Sequence, residues 1–432
     1  MAGARYVLLG LAPARSGWFR EVAQWSHAGA IPAEFVKCVS AEEVRARLAG
    51  GRPFSALLVD AGLPSLDRDL IDGARDAECA VLVIGQRGGR DWPALGAAAV
   101  LPAQLDRKEL VDTLAGHATM IGRADGAPEQ IAQGEAPGWQ APLVAVTGAG
   151  GTGASTVAIA LAEGLAADVR SGGSVLLADL RLHAEQAMLH DARDVVPGVQ
   201  ELVDAFRSGR PSADELRALT FAVPVRGYHL LLGLRRSQAW ATIRPRSFEA
   251  ALDGLRRAHR MVVADVDADV EGEEDGGSVD VEERHVMART VCARADALFV
   301  VGLGGLKGLH SLTRVIGELL AYGVPGVRLV PVVNRASRST RARAETSHAL
   351  AQLLPAWAGA GMATPIFLPE RRVDEALRDG VRLPHGLAAP LVGALVAVTT
   401  RAEEEARRPQ APQRVTPGML GAWDPELARN RE

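Results

Sequence analysis

A glycine-rich segment with hydroxyl side chains is the clearest candidate for chemistry in this sequence. Residues 147–156 are Thr-Gly-Ala-Gly-Gly-Thr-Gly-Ala-Ser-Thr, between an apolar run at 143–146 and a helical pattern. Glycines let successive backbone N–H groups turn toward a common centre, and a helix N-terminus adds partial positive charge there. Gly148 and Gly153 have the G-x4-G spacing of a Walker A motif, and Ser155 stands where a hydroxyl would hold Mg²⁺. The segment therefore predicts a phosphate-binding loop.

Two acidic residues that end apolar runs are the candidates for holding that metal. Asp179 closes the run 175–179, and Asp265 closes the run 261–265. In a doubly wound sheet, ligands bind beyond the carboxyl ends of the strands, where both carboxylates would lie. Ser155, Asp179 and Asp265 are the predicted Mg²⁺ ligands, although an Asp at a strand end can also simply cap the next turn.

The loop lacks the cation that a phosphate-binding loop normally carries. Of the 48 basic residues only Lys37, Lys108 and Lys307 are lysines, and none lies in 147–156. Losing a charge-assisted hydrogen bond costs roughly 1.5–3 kcal/mol. We therefore expect phosphate binding to be weak or absent, and hydrolysis likewise.

The elements that position these residues fall into two α/β blocks. Continuous apolar strands that alternate with helical patterns indicate parallel sheets covered on both faces. In one of these helical patterns, Ser40 and Glu43 form a predicted capping box. The predicted strands are Tyr6–Leu11, Phe54–Val59, Ala80–Ile84 and Ala97–Leu101 in the first block, and Leu143–Thr147, Val175–Asp179, His229–Leu232, Met261–Asp265, Ala297–Val301 and Leu329–Asn334 in the second.

Breaks in composition define the predicted domains. A Pro- and Gly-containing stretch without apolar periodicity separates the blocks, and the C-terminal residues are polar and charged. We predict a first domain at 1–122, a linker at 123–141, a second domain at 142–400 and a disordered tail at 401–432.

Composition excludes several classes of protein. A net charge of −4 and the lack of a basic helix give no support for nucleic-acid binding. The apolar run 387–398 is shorter than a membrane span, and residues 400–408 have no apolar face for lying on a membrane. Three separated cysteines predict buried thiols in a reducing compartment. We therefore expect a cytoplasmic protein without direct membrane insertion.

From the glycine loop to about residue 395, the chain resembles the MinD/ParA-type ATPases with a deviant Walker A motif. Two alanines, Ala149 and Ala154, stand where that family has its signature lysine and its phosphate-binding lysine. Asp179 matches the first acid of the switch I pattern, Arg181 replaces the second, and Asp265 matches the Walker B acid. The resemblance implies ATP with Mg²⁺, bound weakly or not at all, and the implied nucleotide-binding residues are Gly148, Gly150, Gly151, Thr152, Gly153, Ala154, Ser155, Thr156, Asn334, Arg335 and Pro369.

The first block resembles a degenerate response-regulator receiver. Asp60 stands at the phospho-acceptor position, at the end of Ala-Leu-Leu-Val-Asp. The acidic pair after the first strand is missing, Gly85 replaces the Ser/Thr that ends the fourth, and Leu101 stands where a lysine is expected. The resemblance implies a flavodoxin-like fold used for docking protein partners.

A receiver-like domain ahead of a MinD/ParA-like domain resembles the CpaE/TadZ proteins and the septum-site-determining proteins of the Ssd type. That resemblance implies a positioning or scaffold role in septum-site selection or Flp/Tad pilus machinery, as a homodimer with polar or septal placement through partners. The alternative is an active ATPase in which Arg181 or Lys307 supplies the missing cation. No confident catalytic residue emerges from either interpretation.

Overall fold

The computed structural model describes residues 5–13, 16–27, 29–85, 90–121, 139–168, 173–272, 279–354 and 361–407. Residues 123–138 of the predicted linker and the tail from residue 408 lie outside these ranges. Within them, no helix is long and apolar enough to cross a bilayer.

The first sheet has five parallel strands in the order β2-β1-β3-β4-β5. This is the 2-1-3-4-5 order of doubly wound folds of the flavodoxin type. The central strand β3 is apolar and buried until its last residue, as expected for a sheet covered on both faces. The elements are β1 Tyr6–Leu11, α1 Gly17–His27, β2 Ala33–Cys38, α2 Ala41–Ala49, β3 Ala56–Asp60, α3 Arg68–Asp76, β4 Ala80–Ile84, α4 Trp92–Leu95, β5 Ala99–Leu101 and α5 Arg107–His117.

The second sheet has eight strands in the order β13-β12-β11-β6-β10-β7-β9-β8. All neighbouring strands pair in parallel except the edge strand β8, which runs antiparallel to β9. Its strands are β6 Leu143–Gly148, β7 Val175–Leu180, β8 Phe221–Val223, β9 Tyr228–Leu231, β10 Met261–Val266, β11 Ala297–Leu303, β12 Leu329–Ala336 and β13 Ile366–Pro369.

Helices cover both faces of the second sheet, and alternate residues of each central strand belong to two separate apolar cores. Gly164 lets the helix Ala154–Ala167 approach the helix His385–Arg407 closely, because a Cβ there would lie 2.8 Å from a methyl carbon of Val392. The helices are α6 Ala154–Ala167, α7 Gln186–Leu189, α8 Val199–Ser208, α9 Ala213–Ala218, α10 Pro245–Ala258, α11 Val279–Arg284, α12 Val286–Arg294, α13 Leu306–Ala321, α14 Thr340–Leu353, α15 Asp374–Arg378 and α16 His385–Arg407, with 3₁₀ turns at Ser237–Thr242 and Gly326–Arg328.

The structure differs from the sequence prediction mainly at sheet edges. Strands β2, β8 and β13 are absent from that prediction, because each is an edge strand without a continuous buried apolar run. Helix α16 continues to Arg407, so the helix extends seven residues into the segment predicted as a disordered tail. The three cysteines are free and buried, as predicted.

Helix α3 of the first domain joins two helix ends of the second. Asp69 accepts hydrogen bonds from the Arg246 backbone N–H (3.0 Å) and the Ser247 hydroxyl (2.6 Å) at the start of α10. Arg68 donates to the carbonyl oxygens of Phe206 (3.0 Å) and Gly209 (3.2 Å) at the end of α8. An acid at a helix N-terminus and a base at a C-terminus both match the helix dipole. Because α10 has no side-chain cap of its own, Asp69 caps it from the other domain.

We expect Asp69→Ala to loosen the first turn of α10. Loss of a helix cap costs about 1–2 kcal/mol, which corresponds to roughly 5–30-fold faster amide exchange if that turn opens locally. Hydrogen-exchange mass spectrometry on peptides that span Arg246 measures this. The control is Asp214→Ala, which removes an exposed acid that pairs with Arg217 within α9; equal protection in both variants would contradict capping between the domains.

Candidate functional site

The glycine loop has the backbone form of a phosphate cradle. Strand β6 ends at Gly148 and helix α6 begins at Ala154, with Gly151 (φ 78°) and Gly153 (φ 84°) in the left-handed region between them. Gly148 is required by close packing, because a Cβ there would lie 2.3 Å from the carbonyl oxygen of Val301 on β11. Among the residues that the structure describes, no side chain caps the N-terminus of α6, so its first N–H groups point to a position where an anion could bind.

Asn334 at the end of β12 holds this loop from the side. Its amide nitrogen donates to the Thr152 carbonyl oxygen (2.9 Å), and its amide oxygen accepts from the Arg335 N–H (2.9 Å). A Cβ at Gly153 would lie 2.6 Å from the same amide nitrogen. Three of the residues implied for nucleotide binding, Thr152, Gly153 and Asn334, therefore lie together, and Asn334 holds the loop in place.

The groove beside Asn334 is small. Its lining includes Gly153, Thr156, Asn334, Arg335 and Pro369, and its volume is about 40 Å³. At roughly 10–15 Å³ for one water-sized probe, it has room for about three water molecules. A purine base would have to lie over this groove or widen it.

The three predicted metal ligands also meet. Asp179 and Asp265 are directly paired on the neighbouring strands β7 and β10, and both are fully buried. The Ser155 hydroxyl donates a hydrogen bond to Asp265. Burial raises the pKa of both carboxyls, and the neighbouring Asp265 charge raises the pKa of Asp179 further. Such a pair needs a cation or hydrogen-bond donors close by.

Arg181 supplies the cation. Its Nη1 lies 3.5 Å from Asp265 Oδ1, and its Nη2 lies 3.5 Å from Asp267 Oδ1. Burial alone would lower the pKa of this guanidinium, but the nearby acids more than offset that effect and raise it. Arg181 is therefore charged and is bound to the carboxylates next to the loop.

Gln186, which the sequence analysis did not single out, supplies the donors. Its side-chain amide donates to Asp265 Oδ2 (2.7 Å), and its backbone N–H donates to Asp179 Oδ2 (2.8 Å). The side chain is completely buried. Nothing in the local sequence distinguishes this glutamine, because its role depends on Asp265, which lies on a strand 79 residues away, and on Asp179, which precedes it by one turn of the chain.

These contacts decide the fit to Mg²⁺ and nucleotide. One oxygen of Asp265 faces the Arg181 guanidinium and the other accepts from Gln186, so neither is open to a metal ion. Among the described residues, no group of three or more His, Cys, Asp or Glu side chains is arranged to hold a metal. The site therefore does not fit Mg²⁺, although its loop keeps the form of an anion cradle.

The two suggested substitute cations, Arg181 and Lys307, differ in their position relative to the cleft at the loop. A cleft of about 880 Å³ opens at the loop and is lined by Ala149, Gly150, Arg181 and Asp267 among others. Its described lining does not include Lys307, which is exposed near the start of α13 at the same sheet edge. Arg181 is already paired, and Lys307 lies outside the cleft.

Asp60 in the first domain is also engaged. The indole N–H of Trp18, a buried residue on α1, donates to Asp60 Oδ2 (3.1 Å). The Gly62 N–H donates to Asp60 Oδ1 (2.9 Å). Lys108 lies in the first turn of α5 and is exposed. Trp18, on the helix that follows β1, thus occupies one oxygen of the Asp60 carboxylate, and the Gly62 backbone occupies the other.

We expect His190 to make the stability depend on pH. Its Nδ1 lies 2.7 Å from the Gln186 carbonyl oxygen and its Nε2 lies 2.6 Å from the Tyr228 hydroxyl. Burial lowers the pKa of His190 to about 4. The unfolded chain therefore binds more protons below pH 6.5, and the free energy of unfolding falls as the pH drops from 6.5 to 4, by up to about 3 kcal/mol from this residue.

Urea denaturation of the wild type and of His190→Gln across that pH range isolates the contribution. The variant should have the flatter profile, whereas the exposed His310→Gln should follow the wild type. Parallel profiles for all three proteins would contradict the assignment of this titration to His190.

No family model and no curated protein matches the chain. Among solved structures, a ParA family ATPase from Chlorobium tepidum TLS has a TM-score of 0.46 at 16% identity, covering 59% of this chain and 98% of that one. The ATP complex of a Cyanothece McdA variant has a TM-score of 0.42 at 18% identity, with 64% and 99% covered. The Aquifex aeolicus MinC:MinD cell division protein complex has a TM-score of 0.41 at 16% identity, with 64% and 100% covered. At such similarity, the role of each residue depends on the geometry of this chain.

Proposed function

We propose that this chain is a positioning scaffold of the CpaE/TadZ or Ssd type, whose MinD/ParA-like domain binds nucleotide weakly or not at all and does not hydrolyse it. The observation that carries the proposal is the closed set of contacts around Asp265. Arg181 and Gln186 occupy both of its oxygens, while Ala149 and Ala154 leave the loop without a cation. The domain has the fold of a nucleotide-binding domain, but its loop lacks the lysine charges that would drive phosphate chemistry.

The alternative, an active ATPase, needs a free cation and a group that orients water. Arg181 is held by two carboxylates, and its guanidinium cannot accept a proton. Asp179 is fully buried, and its two oxygens accept backbone N–H bonds from Arg181 and Gln186. Neither residue presents a free acceptor to a water molecule, which favours the scaffold.

The first domain supplies a docking surface in this proposal. Trp18 and Gly62 tie both oxygens of Asp60, so phosphorylation there would have to break two hydrogen bonds. Helix α3 contacts the second domain, so protein partners in the division or pilus machinery would dock on another face of the first domain. Polar or septal placement and a homodimeric state belong to the same proposal.

A lysine introduced into the loop should strengthen ATP binding without giving ATP hydrolysis. ATP is the nucleotide that the loop resemblance implies. We expect Ala154→Lys to raise ATP affinity by about 10–100-fold, because a charge-assisted contact contributes roughly 1.5–3 kcal/mol. Isothermal titration measures the affinity, and a phosphate-release assay should stay at the blank for the wild type and the variant.

The matched control is Ala213→Lys, the same change at an exposed helix position far from the loop along the chain.

Light scattering after gel filtration should give one oligomeric state with and without ATP and Mg²⁺. Phosphate release by the wild type that disappears in Asp265→Ala would overturn the scaffold proposal, as would a nucleotide-driven change in oligomeric state.

A further inference from the structure

The cation in the candidate metal site is part of the chain itself. The residues that would surround Mg²⁺ lie together: Ser155 at the loop, and Asp179 and Asp265 on paired strand positions. Between Asp265 and Asp267 lies the Arg181 guanidinium, with its two terminal nitrogens 3.5 Å from one oxygen of each. Its side chain is only 14% exposed. A positive charge therefore already occupies this group of acids.

The same short segment supplies the remaining donors. The backbone N–H groups of Arg181 (3.3 Å) and Gln186 (2.8 Å) donate to the two oxygens of Asp179. The Leu182 N–H donates to Asp267 Oδ2 (2.6 Å), and the Gln186 amide donates to Asp265 Oδ2 (2.7 Å). All three acids thus accept hydrogen bonds from residues 181–186. These contacts hold the segment in place and supply the donors that the buried acids need.

The far end of this segment is fastened as well. His190 contacts the Gln186 carbonyl oxygen and the Tyr228 hydroxyl, and Tyr228 is buried on the neighbouring strand β9. The Gln186 amide also donates to the Ser155 carbonyl oxygen at 3.3 Å. Residues 181–190 therefore connect the glycine loop, β10 and β9 in one hydrogen-bonded network.

A metal ion at this site would have to displace both the Arg181 guanidinium and the hydrogen-bond donors that now occupy the acids. Mg²⁺ requires near-octahedral oxygen ligands at about 2.0–2.1 Å and dehydrates reluctantly. A guanidinium is permanently charged and weakly hydrated, so it pairs with buried carboxylates at lower desolvation cost. Removing it would leave the buried acids with hydrogen-bond donors but without a cation, which is unfavourable unless another cation enters.

We propose that Arg181 is an internal cation that takes the place of the metal ion, and that it holds residues 181–190 in one conformation without metal or nucleotide. The inference rests on the proposed function, since it explains why a non-hydrolysing domain keeps buried acids next to its loop. It adds that the wild-type site excludes divalent ions and that the exclusion depends on a single side chain.

Manganese binding to the full chain tests this, because Mn²⁺ uses the same oxygen ligands as Mg²⁺ and free Mn²⁺ can be counted by electron paramagnetic resonance. The wild type should show no saturable binding. Arg181→Ala should gain one site per chain, competed by Mg²⁺, and should lose it again in Arg181→Ala/Asp265→Asn. Mg²⁺ should raise the Tm of Arg181→Ala and leave that of the wild type unchanged.

Two further variants keep the test decisive. Arg181→Gln retains a long side chain with a donor amide, and it replaces Arg181→Ala if the latter does not fold. Arg235→Ala removes an arginine from a partly exposed ion pair with Glu201 and should behave as the wild type. Saturable Mn²⁺ binding by the wild type that is lost in Asp265→Asn would overturn the inference, and so would folded Arg181 variants without a Mn²⁺ site.

These outcomes separate the inference from the proposed function. ATP turnover by a wild type that binds no Mn²⁺ would contradict the scaffold and leave the internal cation standing. A wild type that binds Mn²⁺ but releases no phosphate would contradict the internal cation and leave the scaffold standing.

Discussion

Two carboxylates, Asp179 and Asp265, lie fully buried side by side at the ends of β7 and β10, and much of the second domain is arranged to make that burial tolerable. Charged groups in a protein interior require a cation or hydrogen-bond donors, since the loss of hydration costs several kcal/mol for each ion. Here the cation is Arg181 and the main donor is Gln186. The path of the chain from β7 to α7 follows from that requirement, because these two residues must reach back to the strand ends.

The glycine loop beside these acids shows that backbone form and electrostatic function can separate. Gly148 is required by the nearby Val301 carbonyl oxygen, and Gly153 by its positive φ and by the Asn334 amide. Those constraints are steric and remain whether or not a phosphate binds. A lysine charge has no such steric role, so alanine at 149 and 154 is compatible with the form of the loop while supplying no charge that would attract phosphate.

In the first domain, the five-stranded sheet places Asp60 at the end of β3, where its carboxylate accepts a hydrogen bond from the Trp18 indole. Helix α3 does not face only solvent, because Asp69 and Arg68 bind the oppositely polarised ends of α10 and α8. The two domains are thus joined by helix-end contacts, which fix their register with few apolar residues.

The sequence by itself determined the two sheets with their central strands, the glycine loop, the missing lysines and Ser40 as the N-cap of α2. These features depend on local composition: a buried parallel strand is a continuous apolar run, and a glycine turn is visible in its residues. The other half of the predicted capping box differs, because the Glu43 side chain accepts from the Val39 N–H rather than from the Ser40 N–H. The edge strands β2, β8 and β13 escaped prediction because half-exposed strands have no such run. Only the tertiary structure decided that Arg181 is paired to Asp265 and Asp267, that Gln186 and Trp18 complete the two sites, and that Asp69 caps a helix of the other domain. Except for the contacts within the 179–186 turn, these contacts join residues that are 42 to 178 positions apart in the sequence. The packing of strands, and not any local sequence pattern, brings such distant charges together.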